Sequence, residues 1–227
     1  MEEKNELVVN DNIFEIFNPN KEKIDITELP AISIIHPTAH FEMPDGSTRK
    51  EIECILLDTY RNNSYYASTE IVDGSFPDCW AIDYHSGEMK PDLSCEQIQA
   101  EKCSECKKNE WKSDPKGGCG KACRNGRQLI ILIKDYFVPC ILSVPPTSLK
   151  NIEKYLNSFI AKHIPYQAVK TKLQLDKKET YSTLKISTDG DFEKDINKLN
   201  NIKNIIMEYK NLMYRKPTLE IIPDANL

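Results

Sequence analysis

The feature that most constrains this chain is a run of closely spaced cysteines. Cys103-Ser-Glu-Cys106 is followed, after twelve residues, by Cys119-Gly-Lys-Ala-Cys123. A CxxC turn lets two thiolates reach one tetrahedral zinc at about 2.3 Å. Zinc is borderline-soft and accepts thiolates without imposing a geometry of its own. Gly117, Gly118 and Gly120 permit the tight backbone that a second such turn needs. Spacing alone nominates Cys103, Cys106, Cys119 and Cys123. The competing readings are a disulfide, a redox CxxC and free core thiols. Met1-Glu-Glu-Lys-Asn-Glu is acidic, with no apolar core behind it. That predicts no secretion signal and a cytoplasmic chain, where disulfides are rare. A redox CxxC opens a helix in a βαβ context, and none is legible here. Four thiolates leave zinc no open position for water, so the expected cofactor is a structural Zn2+.

The segment around these cysteines differs from its flanks. Between Phe76 and Gly126 lie most of the cysteines, both tryptophans (Trp80, Trp111) and five of the eight glycines, and apolar periodicity disappears. That is the composition of a small module held by something other than a hydrophobic core. With 227 residues the chain has ample length for a real core elsewhere.

The flanks read as strands and two helices. Ala31–His36 and Glu51–Leu57 are rich in β-branched residues, and Pro44-Asp45-Gly46-Ser47 between them is a turn signal. One hairpin over about Ile32 to Leu57 is expected, with a second turn at Asn62-Asn63-Ser64. Leu129–Ile133 and Phe137–Val144 read as buried strands, ended by Pro145-Pro146. After Thr147 or Ser148 as a cap, Leu149, Ile152, Leu156, Phe159 and Ile160 fall at helical spacing, stopping near His163. Val169–Leu175 and Ser182–Ile186 alternate around Asp176-Lys177-Lys178-Glu179, a second hairpin. Phe192, Ile196, Leu199, Ile202, Ile206, Tyr209 and Met213 line one face of a last helix starting after Asp189-Gly190, with an extended tail beyond Lys216. The longest strongly apolar run, Leu129–Ile133, has five residues, against the ~20 of a membrane span.

Several motifs recur in this order in one group of proteins. They are Pro77-Asp78-Cys79-Trp80, Cys103-x-x-Cys106, Asn109-x-Trp111-x-Ser113 and Gly120-Lys121-Ala122-Cys123. Pro145-Pro146-Thr147-Ser148-Leu149-Lys150 and Pro165-Tyr166-Gln167-Ala168-Val169-x-Thr171-Lys172 follow. From Pro30 to Ile186 the chain resembles an uncharacterised family of bacteriophage zinc-ribbon proteins from replication and recombination gene clusters. Its members are presumed to be OB-fold-like single-stranded-DNA-binding proteins. The resemblance implies a β-rich α+β fold, an OB-like barrel domain with an inserted zinc ribbon and flanking helices. Residues 1–75 would be the first part of the barrel domain and 76–127 the ribbon. Residues 128–190 would complete the barrel with one helix, and 191–227 would form the C-terminal helix and tail. The resemblance also implies a different metal tetrad: Cys79, Cys103, Cys106 and Cys123, with Cys119 spare. The chain departs from the family after Cys79, where it reads Trp80-Ala81-Ile82-Asp83, which keeps Cys119 in contention; Cys95 is a third candidate. Cys54 and Cys140 lie in apolar strands and read as core thiols.

Charge localises the candidate nucleic-acid surface. The net charge is −5, but residues 1–100 carry −13, residues 101–134 carry +5 and residues 162–185 carry +4. Cations that meet phosphates, interleaved with aromatics that stack on bases, are what sequence-tolerant single-strand binding requires. On the module the candidates are Trp111, Lys112, Lys121, Arg124 and Arg127; the alternative is a solvated knuckle with Trp111 as its small core. On the second hairpin they are Tyr166, Lys170, Lys172 and Tyr181, against a solvated strand face. With residues 176–179 as the loop, Lys170 would oppose Lys185, and a phosphate would relieve that repulsion.

No enzyme is expected. His36 and His40 have a metal spacing only on a helix, which Pro37 excludes, so a site with Asp45 and Asp58 would be accidental. Asp83-x-His85, next to Cys79, is at most a group beside the metal or a substitute ligand. No phosphate-binding loop or nucleophile elbow is present. The expected partners are single-stranded DNA, with replication or recombination proteins, and no membrane. The competing expectation is an interaction protein that docks its ribbon on a host or phage polymerase or another protein.

Overall fold

The computed structural model describes residues 28–68, 75–83, 87–179 and 181–214. Nine strands form among them: β1 (Ala31–Ile35), β2 (His40–Glu42), β3 (Thr48–Arg49), β4 (Glu51–Tyr65), β5 (Cys79–Ile82), β6 (Arg124–Ile133), β7 (Cys140–Val144), β8 (Val169–Lys177) and β9 (Ser182–Phe192). Two α-helices accompany them, α1 (Leu149–Ile160) and α2 (Ile196–Met213). The strands join in the order β3-β2-β1-β7-β6-β4-β8-β9, with β5 added to the far end of β4. All pairs are antiparallel except β1 with β7. The protein is β-rich α+β, with a sheet strongly curled into a half-barrel and two helices.

The sheet is buried on both faces, which explains the continuous apolar run of β6. Leu129, Ile131 and Ile133 face one core with α1; Ile130 faces the other with α2. Each such side chain contributes roughly 1.5–3 kcal/mol by leaving water. β4 faces both cores, with Ile55 already on the α2 side, and a bulge between Leu56 and Asp58 shifts its alternation. Before it, Ile52, Cys54 and Leu56 face the α1 core; after it, Leu57 and Tyr60 both face the α2 core. One extra residue reverses the parity of a strand, because side chains alternate with period two.

Several expectations are corrected here. The Pro44–Ser47 turn forms, with Gly46 at φ +78° and Asp45 accepting from the Ser47 amide at 2.9 Å, but it joins β2 to β3. β1 and β4 do not pair; β1 lies between β2 and β7. Asn62-Asn63-Ser64 is no turn but the buried end of β4, held by β5 on one side and β6 on the other. The β8–β9 hairpin turns at Lys178–Tyr181, four residues out of the expected register, so Lys185 opposes Gln174 rather than Lys170. A shift by an even number keeps every side chain on its expected face, and apolar pattern alone cannot detect it.

The helices follow their patterns with small differences. Ile152, Tyr155, Leu156 and Phe159 are buried against the sheet, and Ile160, at the rim of that stripe, is exposed. Ser148 does not cap α1: its hydroxyl accepts the Leu184 amide of β9 at 2.7 Å, and Asn151 donates to the Leu184 carbonyl at 2.9 Å. Those two bonds cover an otherwise open sheet edge. Asp195 caps α2 by accepting from the Asn197 amide at 2.9 Å. Phe192 belongs to β9, and Ile196 is exposed, so the packed face of α2 runs from Leu199 to Met213. The expected tail lies outside the described residues. The expected boundaries at 127/128 and 190/191 fall inside β6 and β9, so the cysteine segment grows out of the sheet rather than hanging from it. Among the described residues no helix is long and apolar enough to cross a membrane.

Candidate functional site

Four cysteines line one small cavity where the module meets the sheet. Cys79 opens β5, Cys103 and Cys106 flank the tight turn before a short 3-10 helix, and Cys123 immediately precedes β6. All four are buried, and the cavity between them is about 10 Å³, a space for an atom-sized occupant and not for an organic ligand. Cys119 is exposed and absent from the cavity wall, which Cys79 lines together with Cys103, Cys106 and Cys123. Cys95 lies beside the group, with its sulfur 3.1 Å from the Trp80 amide nitrogen.

Burial sets the ionisation of these thiols. Burial pushes the Cys123 thiol up to about 12, and neighbouring Cys103, Cys106 and Cys79 add to it. Burial likewise raises Cys79 to about 11 and raises Cys103. Two donors work the other way: the Gln99 amide toward Cys79 and the Asn63 side chain toward Cys103. N–H groups directed at sulfur favour thiolate, the form that ligates metal. Among the described residues, no group of three or more His, Cys, Asp or Glu side chains is closed into metal-holding geometry as the side chains stand. Cys54 and Cys140 sit apart in the α1 core, raised by burial to about 12 and about 11, and are inert core thiols.

A hydrogen-bonded frame ties this cavity to the sheet. Asn125 donates to Asn63 at 2.7 Å and to Asn109 at 2.9 Å; Asn109 donates to the Cys103 carbonyl at 2.8 Å. Ser113 accepts from the Ala122 amide at 2.9 Å and donates back to the chain at Lys108 and Glu110. The Cys123 amide donates to the Lys108 carbonyl at 2.7 Å. Gly126 is required beside this frame, since a Cβ there would stand 2.7 Å from Asn62 Oδ1.

Outside the frame, the module and the adjoining end of β4 carry three cation–aromatic pairs. Lys121 lies 5.2 Å from the Trp111 ring centroid, Lys108 lies 5.1 Å from Tyr65, and Arg124 lies 5.4 Å from Tyr66. Trp111 is 73% exposed, so it is not the module's core. Lys112 follows it in an exposed turn at φ +69°. Tyr65, Tyr66 and Lys108 were not among the candidates read from sequence. Two adjacent tyrosines ending a strand were the available signal, and the expected turn at Asn62–Ser64 placed them elsewhere.

The remaining candidates are distributed differently. Arg127 is half-buried on β6 and donates to Thr59 Oγ1 at 3.2 Å. Tyr166 is half-buried in a 3-10 turn, packs on the α1 core and donates to Asp58 at 3.4 Å. Burial, with Asp58 beside it, pushes its phenol far above the ordinary range. Lys172 pairs with Glu51 at 3.0 Å, and Lys185 with Asp176 at 3.3 Å. The cations of this hairpin are thus answered by carboxylates on β4 and on β8 itself, so its face is mixed in charge. Lys170 is exposed, and Tyr181 stands partly exposed at the turn. His36 is buried and accepts the Ser182 amide at 3.1 Å, a structural histidine. Asp83 holds Arg61 through two bonds of 2.9 and 2.6 Å; His85 lies outside the described residues. No family model matches this chain, and neither does any curated protein or solved structure.

Proposed function

We propose that this protein binds single-stranded DNA with low sequence specificity, in phage replication or recombination, and that Cys79, Cys103, Cys106 and Cys123 hold a structural Zn2+. The three cation–aromatic pairs around Trp111, Tyr65 and Tyr66 carry the reading. A ring face stacks on any base, and a cation beside it meets the adjacent phosphate, so the pairing suits a strand without selecting its sequence. The phage setting rests on the motif resemblance alone. In this reading the zinc stiffens the module that carries one of the three cation–aromatic pairs whole, Lys121 with Trp111, and that supplies Lys108 and Arg124 to the other two; the barrel-like sheet is an OB-type platform. No reaction is assigned.

Three phosphate contacts on a single strand give a salt slope of about −2 in log K against log salt. Loss of one stacked base with Trp111→Ala weakens binding by about 1–3 kcal/mol. The measurement is oligonucleotide titration at two salt concentrations, single- against double-stranded. Absence of binding to both forms at low salt overturns the reading. If one stoichiometric polymerase or other protein were captured while oligonucleotides were ignored, the module would instead be a protein-docking surface.

A further inference from the structure

A second cavity adjoins the cysteine group, a cleft of about 490 Å³ between the module, the ends of β4 and β6, and the start of α1. Its size lies in the range of small-ligand sites, roughly 300–1,000 Å³. Arg61 and Arg127 both line it, and they face each other directly across the β4–β6 pair. Like charges in that position repel unless something answers them. Arg61 is answered by Asp83. Arg127 makes no ion pair among the described residues; its only hydrogen bond is from Nη1 to Thr59, and its Nε is buried without a partner. Burial, then Arg61, pulls its pKa below the ordinary guanidinium range.

The other polar groups of the cleft are already committed. Asn63, Asn109 and Asn125 bond to one another and form a rigid wall. Glu88 is paired with Lys90 at 3.3 Å and Lys102 at 2.7 Å. Glu153 of α1 lines the rim and favours the charged form of Arg127 from a distance. A half-buried cation with no bonded counter-ion is costly to keep, and a guanidinium fork matches two oxygens of a phosphate.

We propose that this cleft is a phosphate seat, in which Arg127, backed by Arg61, receives the phosphate of one nucleotide unit, presented by a free nucleotide or by a single strand. The seat does not rest on the single-strand reading, since a chain that ignored oligonucleotides would still hold a free nucleotide here.

The test is calorimetric titration of the full chain with inorganic phosphate, deoxythymidine monophosphate, and oligo-dT with and without a 5′-phosphate. Arg127→Met keeps the length of the side chain and removes the charge; Arg127→Lys keeps the charge and removes the fork, and serves if the first fails to fold. The expected result is binding of at least one of these probes, weakened tenfold or more in Arg127→Met and severalfold in Arg127→Lys. Binding of the mononucleotide assigns a free ligand; binding of oligo-dT alone, with the same loss, assigns a strand. Trp111→Ala is expected to leave mononucleotide binding unchanged, which separates this seat from the outer surface. No binding of any probe, or equal binding by wild type and the folded variants, overturns the proposal.

Discussion

Replacing Cys79 by serine is the sharpest perturbation of the metal reading, because Cys79 and Cys119 compete for one position and the fold separates them. Cys79 is buried on β5, opposite Tyr65 of β4, and its sulfur faces the cavity shared with Cys103, Cys106 and Cys123. Cys119 is exposed and outside that cavity. Structural zinc sites release about 10–16 kcal/mol on binding, so one thiolate of four carries roughly 3–4 kcal/mol. Its loss corresponds to a change of about two to three units in the exponent of the metal affinity, about 10²–10³ in Kd. Cys119→Ser removes a solvated thiol and shifts stability by no more than about 0.5 kcal/mol. Cys95→Ser is the internal control: it keeps the four cavity thiols and alters the contacts of Cys95 with the Trp80 backbone and with the Cys79 side chain. The assay is zinc stoichiometry by atomic spectrometry after dialysis, followed by competition with a chromogenic chelator and thermal unfolding. The expectation is one zinc per chain in wild type, Cys119→Ser and Cys95→Ser, with a labile or absent zinc in Cys79→Ser. One tightly held zinc in Cys79→Ser together with its loss in Cys119→Ser would refute the assignment; no zinc in any form, wild type included, would refute the metal itself.

Three further expectations follow from the packing. The metal-free protein should lose stability in alkali: Cys123 and Cys54 titrate near 12 in the fold, well above the ordinary thiol near 9. The folded state therefore holds protons that the unfolded state has shed. Their contribution is intact below about pH 9 and lost progressively as pH rises toward 12, as chemical denaturation at pH 8, 9.5 and 11 will register; a flat profile in the metal-free form would contradict it. Gly126→Ala should destabilise by about 1–3 kcal/mol, because the new Cβ would stand 2.7 Å from the side chain of buried Asn62; an unchanged melting temperature would show that Asn62 can rotate away. Tyr214→Phe removes the 2.7 Å bond to Asp58 that ties the end of α2 to the β4 bulge, and should cost about 1.5–3 kcal/mol, with faster amide exchange at the C-terminal end of α2 as the local signature.

Local patterns in the chain were enough to specify local structure. Leu129–Ile133 had to be a strand buried on both faces, since five consecutive apolar residues leave no polar side. The spacing of Ile152, Leu156 and Phe159 made a helix with one wet face, and Pro44-Asp45-Gly46-Ser47 made a turn. The compositional break at Phe76 marked the cysteine module, and CxxC at Cys103 and Cys106 marked half of its cavity. Those features depend on residues within one or two turns of each other, where sterics and hydrogen bonding act directly.

Partners across the sheet were decided by tertiary structure. Apolar alternation is blind to an even register shift, so the β8–β9 pairing moved by four residues without disturbing the core. The β4 bulge and the continuation of β4 through Asn62-Asn63-Ser64 are stabilised by β5 and β6, which lie far along the chain. That continuation puts Tyr65 and Tyr66 beside Lys108 and Arg124, and it sets Asn63 against Cys103. That Cys79 lines the cavity and Cys119 does not has the same cause. Spacing counts residues along one segment, whereas a ligand from another strand is brought in by a sheet register that only the folded chain defines. The cysteines themselves announced a module; which four of them share a cavity, and which arginine beside them makes no ion pair among the described residues, depended on β4, β5 and β6 coming together.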